Sequence, residues 1–160
     1  MKRQLRLEIE VNYWLMKSEP DVFSIDTLKN KKKSGWDGVR NYQARNFMRD
    51  DMRKGDMVLF YHSSCDVPGV AGLAMVSLES HPDPTQFDPK SDYYDPKATK
   101  ESPRWFMVEV EFVEKFNEVV TLHTIKNVKA LENMPLVQKG SRLSINPVTE
   151  KEYKTILELQ

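Results

Sequence analysis

A chain of 160 residues with 39% hydrophobic content can bury one sizeable core and is short for two. Its 24 Lys and Arg are balanced by 24 Asp and Glu, which excludes a tight, sequence-indifferent nucleic-acid binder, because such binding needs surplus cations to neutralise phosphates. A single cysteine, Cys65, excludes an intramolecular disulfide, and no apolar run approaches the roughly 20 residues of a membrane span.

The first ten residues alternate charge and apolarity and lack the continuous apolar segment of a secretory signal. A cytoplasmic setting is expected, nucleoid-associated or, in a eukaryote, nuclear. Tyr13 to Met16 reads as a strand with Tyr13 and Trp14 in the core, and Lys17-Ser18-Glu19-Pro20 ends it because Pro20 cannot extend a ladder. Lys17, Ser18 and Glu19 then sit at a strand end, either on a pocket rim or in an ordinary exit turn. Strand alternation makes Lys17 and Glu19 converge, with Ser18 on the other face unless Pro20 bends the chain. Ser24 caps a helix to about Lys31, with Ile25 and Leu28 inward. The run Lys29, Lys31, Lys32 and Lys33 reads as a solvated helix end lying close to the segment that follows.

That segment, Gly35-Trp36-Asp37-Gly38-Val39-Arg40-Asn41-Tyr42-Gln43-Ala44-Arg45-Asn46, carries the most chemistry. Trp36 and Tyr42 taken singly are ordinary core residues. Their interleaving with Arg40, Asn41, Gln43 and Arg45 is not, since core segments rarely mix guanidiniums and amides with aromatics. Two glycines flank Trp36-Asp37, so a loop delivers the indole, and Asn41 caps a helix from about Tyr42 to Arg49. Aromatic faces, amides and guanidiniums together suit a flat, polar, aromatic ligand, a nucleobase above all.

Downstream, Met57 to His62 and Val70 to Val76 read as buried strands, with Gly72 marking a bulge or a close backbone approach. Ser80 to Pro103 holds five prolines with Tyr93 and Tyr94, and reads as a rigid lid or partner surface. Its Asp83, Asp88, Asp92 and Asp95 follow no calcium-loop spacing, and the three histidines follow no zinc spacing, so no metal is expected. Trp105 to Phe116 alternates as a strand; Thr121 and Thr149 read as helix N-caps, the latter with Glu152 as a capping box. Strands mixed with short helices point to an α+β fold rather than a doubly wound one.

Trp14 to Pro20, Trp36 to Asn46, Pro82-Asp83-Pro84-Thr85-Gln86-Phe87-Asp88, Pro103-Arg104-Trp105 and Gly140-Ser141-Arg142-Leu143-Ser144 resemble, in this order, the EVE domain family. The likeness spans residues 12 to 160, a single domain, and leaves residues 1 to 11 as an extension. The resemblance implies a PUA-like fold, a small mixed β-barrel flanked by short helices and related to the YTH readers of methylated adenine. It also implies a pocket for a modified base, with modified cytosine in DNA proposed for several members.

The expected function is a non-catalytic reader of a flipped-out base, with DNA a more natural partner than RNA and no cofactor. The base stacks on Trp36 or Trp105, and Lys17, Ser18, Asn41 and Tyr42 complete the site. Arg40, Arg45 and Arg142 hold flanking phosphates or bond inside the fold. The rival readings are a hydrolase of acylated cytidine, as in some ASCH domains, with Lys17 and Glu19 as its chemistry, and an RNA-binding PUA-like module. With no heptad or long apolar stripe, a monomer is the default.

Overall fold

The computed structural model describes residues 10 to 160, so all but the end of the expected extension lies outside the described residues. Strand β1 (Tyr13–Ser18) is followed by helix α1 (Ile25–Lys31), the short strand β2 (Lys33–Gly35) and helix α2 (Tyr42–Asn46), which widens into a π-turn over Phe47–Asp51. Strands β3 (Met57–His62), β4 (Gly69–Pro82) and β5 (Phe106–Thr121) come next, then helix α3 (Leu122–Lys126), strand β6 (Ile145–Val148) and helix α4 (Glu150–Leu159). Among the described residues no helix is long and apolar enough to cross a membrane.

The six strands form one sheet in the order β2-β5-β4-β3-β1-β6, with β1 parallel to β3 and every other pair antiparallel. Both faces of its centre are buried. On one, Trp14 and Met16 from β1 and Val58 and Phe60 from β3 pack with α1, α2 and Trp36. On the other, Leu15, Leu59 and Tyr61 pack with Ile125 of α3 and Tyr153 and Ile156 of α4. Covering on both sides is why β1 and β3 read as continuous apolar runs rather than alternations.

The expected caps are present: Ser24, Asn41 and Thr121 each accept a backbone N–H, and Thr149 with Glu152 forms a capping box. Gly72 sits where the β3–β4 and β4–β5 registers shift, and an added Cβ would stand 2.3 Å from the Glu114 carbonyl oxygen. The helix expected to run to about Arg49 is α-helical to Asn46 and continues to Asp51 as a π-turn, in which the Met52 N–H reaches back to the Phe47 carbonyl. The strand expected to end at Val76 continues to Pro82, and the one expected to end at Phe116 continues to Thr121. The two form a long bulged ribbon.

Candidate functional site

Two of the pockets on the described surface reach about 500 Å³ or more. One, of about 600 Å³, is bordered by Asp50, Asp51 and Glu150 against a single Arg53, a poor charge balance for an anionic ligand. The other, of about 500 Å³, forms where the end of β1, the turn after it and the Gly35–Arg40 loop converge.

Pro20 shapes the first wall. After it the chain folds back, so the Val22 and Phe23 N–H groups both donate to the Glu19 carbonyl at 2.9 Å. Phe23 is thereby brought over Ser18, whose hydroxyl donates to the Phe23 carbonyl at 2.6 Å and keeps its lone pairs for a ligand. Lys17, Ser18 and Glu19 all line the pocket. Strict alternation would have excluded Ser18, but β1 ends there and the bend after Pro20 is the case in which alternation no longer governs. The Lys17 N–H donates to the Ser144 carbonyl at 2.8 Å, which sets the segment before β6 as a second wall.

Trp36 makes the floor. Its N–H donates to the Val108 carbonyl at 2.8 Å, and its ring meets Phe60 edge-on at 5.5 Å and Phe23 at 6.2 Å. At 8% exposure the indole leaves only a small part of its surface to a ligand.

Asp83 fixes the loop above the floor. Fully buried, it accepts from the Gly38 N–H at 2.8 Å, from the Thr85 hydroxyl at 2.6 Å and N–H at 2.8 Å, and from Arg40 Nη1 at 3.1 Å. Burial pushes this carboxyl up, but those donors outweigh it and hold it below the ordinary aspartate value. Gly38 has φ +80° and lies so close under Tyr93 that an added Cβ would be 2.8 Å from the ring. Arg40 also donates to the Tyr93 carbonyl through Nε and Nη2 and to Thr85 through Nη2. Its fork is occupied by the fold rather than left open to a phosphate.

The pocket's charges bend in opposite directions. Burial lowers the Lys17 ammonium. Burial also raises the Asp37 carboxyl, the Asp83 charge raises it further, and Arg40 and Lys31 partly offset both.

The remaining expected residues form a ridge beside the pocket. Tyr42, 49% exposed, stacks on Trp105 at 4.8 Å, with the Arg45 guanidinium 4.7 Å from its ring. Trp105 donates Nε1 to Asp95 at 2.7 Å, Arg104 donates to the Tyr42 hydroxyl, and Arg45 donates to the Arg104 carbonyl at 2.8 Å. Asn41 spends Oδ1 on the Ala44 N–H at 2.9 Å. Asn41, Tyr42, Arg45 and Trp105 therefore do not line the pocket, because each is committed to capping or to the ridge. Arg142 is exposed, two residues from the pocket-lining Ser144.

Sequence reasoning did not single out Phe23, Asp37 and Tyr93, which line the pocket, or Asp83, which supports it. Asp37 stands inside the flagged motif and was legible there; Tyr93 reaches the pocket only through tertiary placement of the Pro-rich loop. Among the described residues no cluster of three His, Cys, Asp or Glu is placed to hold a metal.

The EVE domain family model matches residues 12 to 159. The chain belongs to the EVE domain family. This EVE chain is 42% identical to human thymocyte nuclear protein 1 over 168 residues, covering 93% of the chain and 74% of that relative. It superposes with a TM-score of 0.89 on a crystal structure from Pseudomonas syringae, at 53% identity over 92% of this chain and 98% of that one. The human THYN1 protein, solved in complex with 5-methylcytosine containing DNA, gives a TM-score of 0.87 at 42% identity over 92% and 96% of the two chains. A YTH domain of Zygosaccharomyces rouxii MRB1, solved with N6-methyladenosine RNA, gives 0.53 at 15% identity over 96% and 91%, a likeness of fold alone. The EVE fold is α+β and PUA-like.

Proposed function

We propose that this EVE domain is a non-catalytic reader that takes a flipped-out modified base, 5-methylcytosine in DNA first, into the pocket floored by Trp36. The observation that carries the proposal is the 42% identity to human THYN1, a protein solved in complex with 5-methylcytosine containing DNA. The pocket's chemistry supports it. Three rings, Phe23, Trp36 and Tyr93, offer apolar surface, and Ser18 and Lys17 offer an acceptor and a donor to a base edge. Flipping a base costs a few kcal/mol, which stacking and filled hydrogen bonds in such a pocket return.

In this reading the Tyr42–Trp105 ridge with Arg45 and Arg104 receives the strand beside the extruded base. Exposed Lys31 at the pocket rim and Arg142 nearby meet phosphates, while Arg40 acts indirectly by holding the loop. The setting is a compartment that holds nucleic acid, nucleoid or nucleus.

One observation favours a second reading. Lys17, its ammonium lowered by burial, shares the pocket with Glu19, the pair a hydrolase of acylated cytidine would use. One experiment separates the two: titration of Trp fluorescence with single- and double-stranded DNA and RNA bearing unmodified, methylated, hydroxymethylated or acylated cytosine, or methylated adenine, followed by product analysis. The reader prefers one modified base and returns it intact. A released acyl group establishes the hydrolase, and equal affinity for every oligonucleotide with no product formed overturns both.

A further inference from the structure

A methyl niche alone cannot identify 5-methylcytosine, because thymine carries the same methyl group on the same ring carbon. The two bases differ only at C4 and N3, on the Watson–Crick edge: cytosine offers an N4 amino donor and an N3 acceptor, thymine an O4 acceptor and an N3–H donor. Resting on the reader assignment above, we propose that Asp37 is the residue that specifies cytosine, its carboxyl accepting from the N4 amino group and repelling the O4 of thymine or uracil.

Position argues for it first. Asp37 lines the pocket directly beside the floor residue Trp36. The residues on either side are pinned, Trp36 through its N–H to the Val108 carbonyl at 2.8 Å and Gly38 through its N–H to Asp83 at 2.8 Å. Asp37 is thus presented by a fixed segment and pays little ordering cost on binding. Glu19, the other carboxylate in the pocket, hangs on a longer side chain at an exposed turn.

Availability argues for it next. Among the described residues, Asp83 is consumed by Gly38, Arg40 and Thr85, and Asp95 by Trp105, whereas no other residue's side chain ion-pairs or hydrogen-bonds the Asp37 carboxyl. Arg40, the nearest cation in sequence, spends its hydrogen bonds on Asp83, Thr85 and the Tyr93 carbonyl rather than on Asp37. Asp37 stays open to an incoming donor.

Chemistry completes the case. An Asp or Glu carboxylate accepting from cytosine N4 is a standard discriminating contact, and as a single hydrogen bond it should fall toward the low end of the roughly 5- to 150-fold that a bidentate contact gives. Burial at the pocket and the neighbouring Asp83 charge let Asp37 take up a proton more readily than a free aspartate. Discrimination rests on the ionised carboxylate, which accepts from N4 and repels O4; a protonated carboxyl, like an amide, can turn to donate to O4, so the preference for cytosine should narrow where Asp37 takes up a proton.

The test uses the whole chain and single-stranded DNA carrying 5-methylcytosine, cytosine or thymine at one position, so that no base has to leave a pair. The wild type is expected to favour 5-methylcytosine over thymine by 5-fold or more. Asp37→Asn should bring that ratio close to one, because an amide can turn over to present a donor to O4 and an acceptor to N3–H. Asp37→Ala should weaken 5-methylcytosine binding several-fold and tighten thymine binding, since the repulsion of O4 goes with the carboxylate. If both variants keep the wild-type ratio while the wild type still prefers 5-methylcytosine to cytosine, Asp37 does not read the base and the inference is overturned alone. If the wild type does not distinguish 5-methylcytosine from cytosine, the reader assignment fails and the inference with it. Unchanged circular dichroism and melting of both variants tie the result to recognition, as expected for a residue at an exposed rim.

Discussion

Asp83 and Trp36 hold the pocket in shape without offering much of themselves to a ligand, so their substitution tests the fold before it tests binding. Asp83→Asn leaves Arg40 without its counter-charge under the Tyr93 loop, and a loss of order 3 kcal/mol in denaturant unfolding is expected. The pH dependence follows from the same contacts. The folded Asp83 carboxyl lies below the ordinary aspartate value of 3.8, so its stabilisation is fully present above that value and is lost as pH falls through the lowered folded value. Acid unfolding curves of wild type and Asp83→Asn should converge at low pH and separate above about pH 4. Trp36→Ala opens a cavity against Phe23 and Phe60 and should cost about 3 to 5 kcal/mol, which makes a loss of binding in that variant ambiguous. Trp36→Phe keeps a ring on the floor and is the informative change: modest destabilisation in thermal melts, with weakened affinity for the modified base.

The Pro-rich excursion after β4 behaves as a buttress whose shape depends on one buried amide. Gln86 donates Nε2 to the Asp83 and Trp105 carbonyls at 2.8 and 2.7 Å and accepts at Oε1 from the Arg104 and Trp105 N–H groups at 2.9 and 3.0 Å. That side chain satisfies backbone groups that a strand partner would otherwise take. Gln86→Ala should raise hydrogen exchange across residues 88 to 104 and weaken base binding without altering exchange in β1 or β3; uniform acceleration through the sheet would show that the loop is not a separate unit. Elements with strong local chemistry were readable from sequence: the apolar runs of β1 and β3, the caps at Ser24, Asn41, Thr121 and Thr149, and the crowded Gly72. Strands β2 and β6 were not. β2 is three residues at the end of a lysine run, and β6 contains Pro147, tolerated only because β6 is the last strand of the sheet. The pocket followed the same division. The Trp36 loop announced itself by composition, whereas composition did not show that Asn41 and Trp105 stand outside the lining of the pocket, with Asn41 Oδ1 on the Ala44 N–H and Trp105 Nε1 on Asp95.

At the scale of the molecule the balanced charge sets what kind of binding to expect. Residues 1 to 60 carry 13 basic against 9 acidic side chains, and Lys29, Lys31, Lys32 and Lys33 are exposed around the end of α1 near the pocket. A few phosphate contacts, not a neutralising surface, are available. Affinity for DNA should fall with salt at a log–log slope of about −2 to −3, and Lys31→Ala should shallow it by about 1. A slope near −6 or steeper would mean that a broad cationic face, not the pocket, dominates binding.

In the proposed complex the modified base leaves its strand and enters the pocket between Trp36 and the end of β1. The most direct test is an NMR spectrum of the complex with DNA carrying a single 5-methylcytosine labelled with carbon-13 at the methyl group. A base seated there should show a methyl resonance displaced by the ring currents of Phe23 and Trp36, with intermolecular cross-peaks to Ser18 and Trp36. A methyl signal that stays at its free-DNA position under saturating protein, or that contacts only Tyr42 and Trp105 on the ridge, would contradict it.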